Sequence, residues 1–114
     1  MTAPKVTTVR LQRMARAYRQ SGALMAAVEL GLFTAVANGA VNRNAVATHL
    51  GITDLNADRI VTYCLGAGLL EQVDGALTNA PDVERFLVQD KTGYAGDWML
   101  FTKPRWDKFG KLSD

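Results

Sequence analysis

The chain has 114 residues, 48% hydrophobic and 21% charged, which suits one globular domain and excludes a disordered tail or a fibre. A single Cys (Cys64) and a single His (His49) exclude an internal disulfide, and we expect no metal site and no catalytic residue. The net charge of +2 is small for a general nucleic-acid grip, and no apolar run approaches the ~20 residues of a membrane helix.

The charge is unevenly placed. Residues 1–28 hold Lys5, Arg10, Arg13, Arg16 and Arg19 and no acid, so the remainder is net negative. An Arg-rich, acid-poor start has the composition of an organellar transit peptide. Here it runs without a break into a core pattern, so a cytoplasmic location is the expectation.

Leu11, Met14, Ala15, Tyr18, Gly22 and Met25 recur at helical spacing and predict an amphipathic helix over 7–27, kinked or split at Ser21-Gly22. A second helix is expected over 29–38, closed by Asn38-Gly39. A third, over 43–50, has Asn42 as its N-cap and Gly51 as its stop. Thr53 caps a fourth helix to about Gly66, with Ala57, Ile60, Val61, Cys64 and Leu65 on one face. Asp54, Asp58, Arg59, Thr62 and Tyr63 are left facing out.

The period then changes from helix to strand. Leu69–Val73 and Ala76–Thr78 read as two strands joined by Asp74-Gly75, a hairpin signal because the turn needs positive φ. Asn79 is expected to cap a helix over 80–88, with Val83, Phe86 and Leu87 inward. Five of the nine aromatic residues fall between 94 and 109, and Pro104 divides them. Helix, short helix, turn, helix, hairpin is the order of a winged helix-turn-helix. The fold class is therefore mostly α: a winged helix with a two-stranded wing, an N-terminal helix and a C-terminal helical tail. Residues 1–91 form the winged-helix domain and 92–114 an aromatic tail or linker.

The run Ala27-Val28-Glu29-Leu30-Gly31-Leu32-Phe33 resembles the N-terminal domain of S-adenosylmethionine-dependent O-methyltransferases of the caffeate and acetylserotonin type. The likeness continues through Asn42–Gly51, Ala67-Gly68-Leu69-Leu70-Glu71, Pro81–Leu87 and Gly93-Tyr94-Ala95-Gly96-Asp97, covering about 18–112. The sequence departs from the family pattern where Ala45 replaces the acid of a capping box and Asp54 replaces a helix-opening Pro. The resemblance implies a winged helix that forms an intertwined homodimer, with an N-terminal helix that reaches toward the partner's substrate pocket. It implies a methyl donor and base in a separate Rossmann-like domain. No cofactor site is expected within this chain, and S-adenosylmethionine is expected in a downstream domain if one exists, because no Gly-rich strand–turn–helix is present.

Tyr94, Trp98, Met99, Phe101 and Trp106 are the candidate substrate-binding residues, since flat substrates stack on aromatic and thioether side chains. Trp98 and Trp106, on either side of Pro104, would form opposite walls. Their alternative role is a seam to another domain or chain. Leu11, Met14, Tyr18 and Met25 are the candidate dimer surface. The rival readings are a winged-helix transcription regulator and a free-standing interaction module. Asp54, Asp58 and Asp74 would face phosphates on the reading helix and wing, which argues against specific DNA binding. His49 at a helix C-terminus and Cys64 on an apolar face read as structural.

Overall fold

The computed structural model describes residues 3–114. Its core begins with α2 (Tyr18–Leu30) and α3 (Leu32–Ala37), joined at Gly31, whose φ of 78° only glycine adopts without strain. The predicted 29–38 helix is therefore shorter, and Glu29-Leu30 finish α2 instead. Gly39 takes the positive φ beyond α3, with Asn38 as the C-cap.

Next come α4 (Arg43–Leu50) and α5 (Asp54–Gly66). Asn42 Oδ1 accepts from the Ala45 amide at 2.8 Å and Thr53 Oγ1 from the Asn56 amide at 3.1 Å. Both helix starts are thus capped without a capping-box acid, each cap worth about 1 kcal/mol. Gly51 ends α4 in the left-handed conformation, as expected.

The wing is β1 (Leu70–Val73) paired antiparallel with β2 (Ala76–Asn79), Leu70 opposite Asn79 and Val73 opposite Ala76. Asp74 and Gly75 turn it at φ 52° and 82°. Leu70 and Leu77 point inward, and the Leu77 amide donates to the Val41 carbonyl at 2.9 Å, tying the wing to the segment before α4. Ala23, Ala27, Leu32, Phe33, Val46, Ala57, Val61, Cys64, Leu70, Leu77 and Val83 make one contiguous core. This is the mostly α winged helix that the period change predicted.

Three expectations need correction. The first helix breaks at Ala17, not at Ser21-Gly22: α1 (Val9–Arg16) ends where the Ala17 amide turns to the Met14 carbonyl. Asn79 does not cap the helix after the wing. That helix, α6, is Pro81–Phe86 with Ala80 at its N-cap, while Asn79 closes β2 and turns its side chain into the core. Phe86 does not face inward; it lies exposed under the Arg85 guanidinium, 5.3 Å from the ring centroid.

The tail forms α7 (Gly96–Phe101), a 3-10 turn over Lys103–Arg105 that contains Pro104, and α8 (Trp106–Gly110). Met99 and Leu100 pack on the core, and Lys103 forms an ion pair with Glu29 of α2. The Cα radius of gyration is 16.5 Å, against about 13 Å for a compact domain of this length. Neither α1 nor the tail from Lys103 to Gly110 contains a buried residue.

Candidate functional site

The α1 stripe is uncovered. Leu11 and Tyr18 are exposed, and Met14 keeps 64% of its surface in water. Met25, by contrast, lies half-buried within α2. Apolar side chains ordered on a helix without burial gain nothing from the hydrophobic effect, and this stripe is left in water.

Tyr18 joins the stripe to a groove of about 530 Å³ between α2, α5 and α8. Tyr18, Gly22, Ala26 and Leu30 recur every four residues and form its floor from α2. The small pair Gly22 and Ala26 leaves a trough. Ile60 and Tyr63 of α5 wall one side, and Trp106 closes an end, its indole resting against Gly22. Arg19 and Arg59 are the only charged groups lining it. The groove offers apolar area and two guanidinium groups. It holds no carboxylate, thiol or imidazole; its other polar side chains are Asn56, Tyr18 and Tyr63.

The tail aromatics take separate places. Tyr94 is half-buried and folds onto Gly96. Met99 faces the core. Trp98, 69% exposed, and Phe101, exposed with the Arg105 guanidinium 6.0 Å from its ring centroid, point into solvent. Trp106 alone of these five lines the groove. The two tryptophans do come from different helices, α7 and α8. The groove itself was missed in the sequence, although the four-residue repeat of Tyr18, Gly22, Ala26 and Leu30 marked it.

Asp54, Asp58, Arg59, Thr62 and Tyr63 are exposed on α5, as its periodicity predicted. Asp58 meets Arg43 Nε at 2.7 Å, and the Arg43 guanidinium also donates to Thr62 Oγ1 at 3.3 Å. His49 is exposed in the last turn of α4, its Nδ1 2.9 Å from the Ala45 carbonyl it donates to. Cys64 is fully buried, and burial pushes its thiol up to about 12. Among the described residues no helix is long and apolar enough to cross a membrane.

Comparison with known proteins bears on this geometry. The family model of the O-methyltransferase dimerisation domain matches residues 12–89. The 3-hydroxy-5-methyl-1-naphthoate 3-O-methyltransferase of Streptomyces sahachiroi is 37% identical over 87 residues, 73% of this chain and 25% of that protein. The N,N-dimethyltransferase OxyT of Streptomyces rimosus is 33% identical over 98 residues, 86% of this chain and 28% of that protein. The chain thus spans about a quarter of the length of these curated relatives. An O-methyltransferase family protein from Burkholderia thailandensis superposes with a TM-score of 0.79 at 26% identity, covering 96% of this chain and 33% of that one. Human N-acetylserotonin methyltransferase, solved with S-adenosylmethionine, shares the fold with a TM-score of 0.81 at 21% identity, covering all of this chain and 35% of that one. A winged helix with an unburied N-terminal helix, matched by this family model over most of its length, belongs to the O-methyltransferase dimerisation domain family.

Proposed function

We propose that this chain is the self-association and substrate-enclosing domain of a small-molecule methyltransferase, and that it works as a homodimer. The observation that carries the reading is the continuous apolar surface from Leu11 and Met14 through Tyr18 into the α2–α5 groove, which the chain itself does not cover. A second copy would bury it, and the family description names that role.

The methyl donor, S-adenosylmethionine, would be held by residues outside this stretch, and the reaction would be transfer to a hydroxyl of a planar aromatic compound in the cytoplasm. The name of the Streptomyces sahachiroi relative, a naphthoate 3-O-methyltransferase, supports that substrate class. Transfer to an amine is a second reading, favoured by the name of the Streptomyces rimosus relative. In either case residues 1–91 would form the dimerising unit and 92–114 the connection toward the catalytic part. Trp98 and Phe101, already exposed, and Trp106 at the groove would then be the tail residues that meet substrate or the adjoining domain, with Met99 and Tyr94 supporting them. Specific DNA is no part of this reading, because Asp54 and Asp58 crowd the helix that would enter a groove and Arg43 is engaged by Asp58.

Sedimentation at micromolar concentration tests the central claim: a dimer mass is expected, and a monomer mass would remove the basis for the reading. Assay of the full gene product with S-adenosylmethionine against phenols and aromatic amines separates the two acceptor classes.

A further inference from the structure

The face of α1 opposite the apolar stripe has a different chemistry. Val9, Gln12, Arg13, Arg16, Ala17 and Gln20 fall at i, i+3, i+4, i+7, i+8 and i+11, one helical face carried across the break at Ala17. They line a recess of about 500 Å³. A second recess of about 260 Å³ shares Arg16 and Gln20, adds Arg19, and is bounded by Thr62 and Gly66 near the end of α5. Three guanidinium groups line the two recesses, and no carboxylate does.

This basic surface is uncompensated. The ion pairs among the described residues join Arg43 to Asp58, Lys91 to Glu84 and Lys103 to Glu29, and none involves Arg10, Arg13, Arg16 or Arg19. All four are exposed. Holding several like charges on one helix costs stability unless something neutralises them.

We propose that the α1–α2 elbow is a docking site for an acidic protein segment, with Arg13 and Arg16 at its centre and Arg10 and Arg19 at its flanks. The arginines step every three residues, a rise of about 4.5 Å. Each step also turns about 60° around the axis, so Arg13 and Arg16 share one face of α1 while Arg10 and Arg19 lie to its sides, and carboxylates three or four residues apart on a facing helix can meet the central pair. A single small anion would engage one or two exposed guanidinium groups in water, where each contact is weak; a segment with several carboxylates engages them together. A bilayer would have to take up the apolar stripe, which is the surface proposed for self-association, so vesicles enter as a competing outcome of the test. Arg13 and Arg16 lie opposite the stripe proposed for self-association, whereas Arg19 also lines the α2–α5 groove and Arg10 donates to the Met14 sulfur, so the test rests on Arg13 and Arg16.

The probe is a dye-labelled helical peptide with Glu at every third or fourth position, titrated by anisotropy at physiological salt. Saturable binding is expected, weakening steeply as salt rises. Arg13→Glu/Arg16→Glu should weaken it about tenfold, and Arg13→Lys/Arg16→Lys much less. The sedimentation mass and helical signal should stay unchanged, since α1 buries no side chain. Arg13→Gln/Arg16→Gln provides the same test without introducing acids. Four results would overturn the proposal: no saturation, a peptide affinity indifferent to charge reversal, a changed assembly mass on reversal, or tighter binding to duplex DNA or phosphatidylserine vesicles than to the peptide.

Discussion

Trp106 occupies the space that a side chain on Gly22 would need: a Cβ placed on Gly22 would stand 3.1 Å from the indole Cη2. A position in the middle of α2 thus determines where the C-terminal tail rests. Glycine costs a helix interior roughly 1 kcal/mol relative to alanine, and here the cost makes room for an aromatic ring. Gly22→Leu should therefore displace Trp106 while leaving the core intact. The expected result is a red shift of indole emission with unchanged far-ultraviolet circular dichroism. Unchanged emission would mean that Trp106 does not rest on α2 in solution.

Leu11→Asp/Met14→Asp should convert the dimer to monomers without unfolding them. Both residues are exposed in the single chain, so charge there costs the monomer little, while burying two carboxylates in an apolar interface is prohibitive. Sedimentation gives the mass, and thermal melting of the monomeric variant should still be cooperative.

Among the described residues Asn79 is the one buried polar residue, 9% exposed. Its amide donates to the Phe33 carbonyl at 2.9 Å and to Glu84 Oε1 at 3.1 Å, joining β2 to α3 and α6. Asn79→Ala removes both hydrogen bonds and should cost about 1–3 kcal/mol in denaturant unfolding. Asn79→Asp should cost at least as much, since it puts a carboxylate beside Glu84 and a carbonyl oxygen.

Glu84 should add a small pH dependence to stability. The hydrogen bond from Lys91, then that from Asn79, holds its carboxyl below the ordinary value of 4.5. A lowered folded-state value means that the stabilisation is present above pH 4.5 and is lost as pH falls through the folded-state value. The pair is well exposed to water, so its worth is about 0.5 kcal/mol. The difference in stability between the parent and Glu84→Gln should be measurable near neutrality and vanish in acid.

Cys64 should resist thiol reagents at pH 8 until the domain opens. Its thiol is fully buried and shifted to about 12, so almost no thiolate exists in the folded state. Labelling that tracks added denaturant supports this; rapid labelling in buffer contradicts it.

Local sequence determined most of the elements because their signals are local. Asn42, Thr53, Gly51 and the Asp74-Gly75 pair each act on backbone within a few residues, through a cap or a positive φ, and each stands where the chain order placed it. The buried face of α5 was legible for the same reason: a period of 3.6 needs no knowledge of what lies across from it. Asn79 was misplaced because two local roles compete for an Asn before a helix, and the choice fell to a carbonyl 46 residues away, that of Phe33. Phe86 was placed inward by a period that α6 is too short to enforce. The tail gave composition without direction: five clustered aromatics say nothing of where a turn at Pro104 will send them. Only the packing of α7 on the core and of Trp106 on Gly22 separated the residue that reaches the groove from those left in water. The exposed stripe of α1 was legible as amphipathic from sequence alone. That the rest of this chain does not cover it is a tertiary fact, because burial depends on which surfaces the finished fold has left to offer.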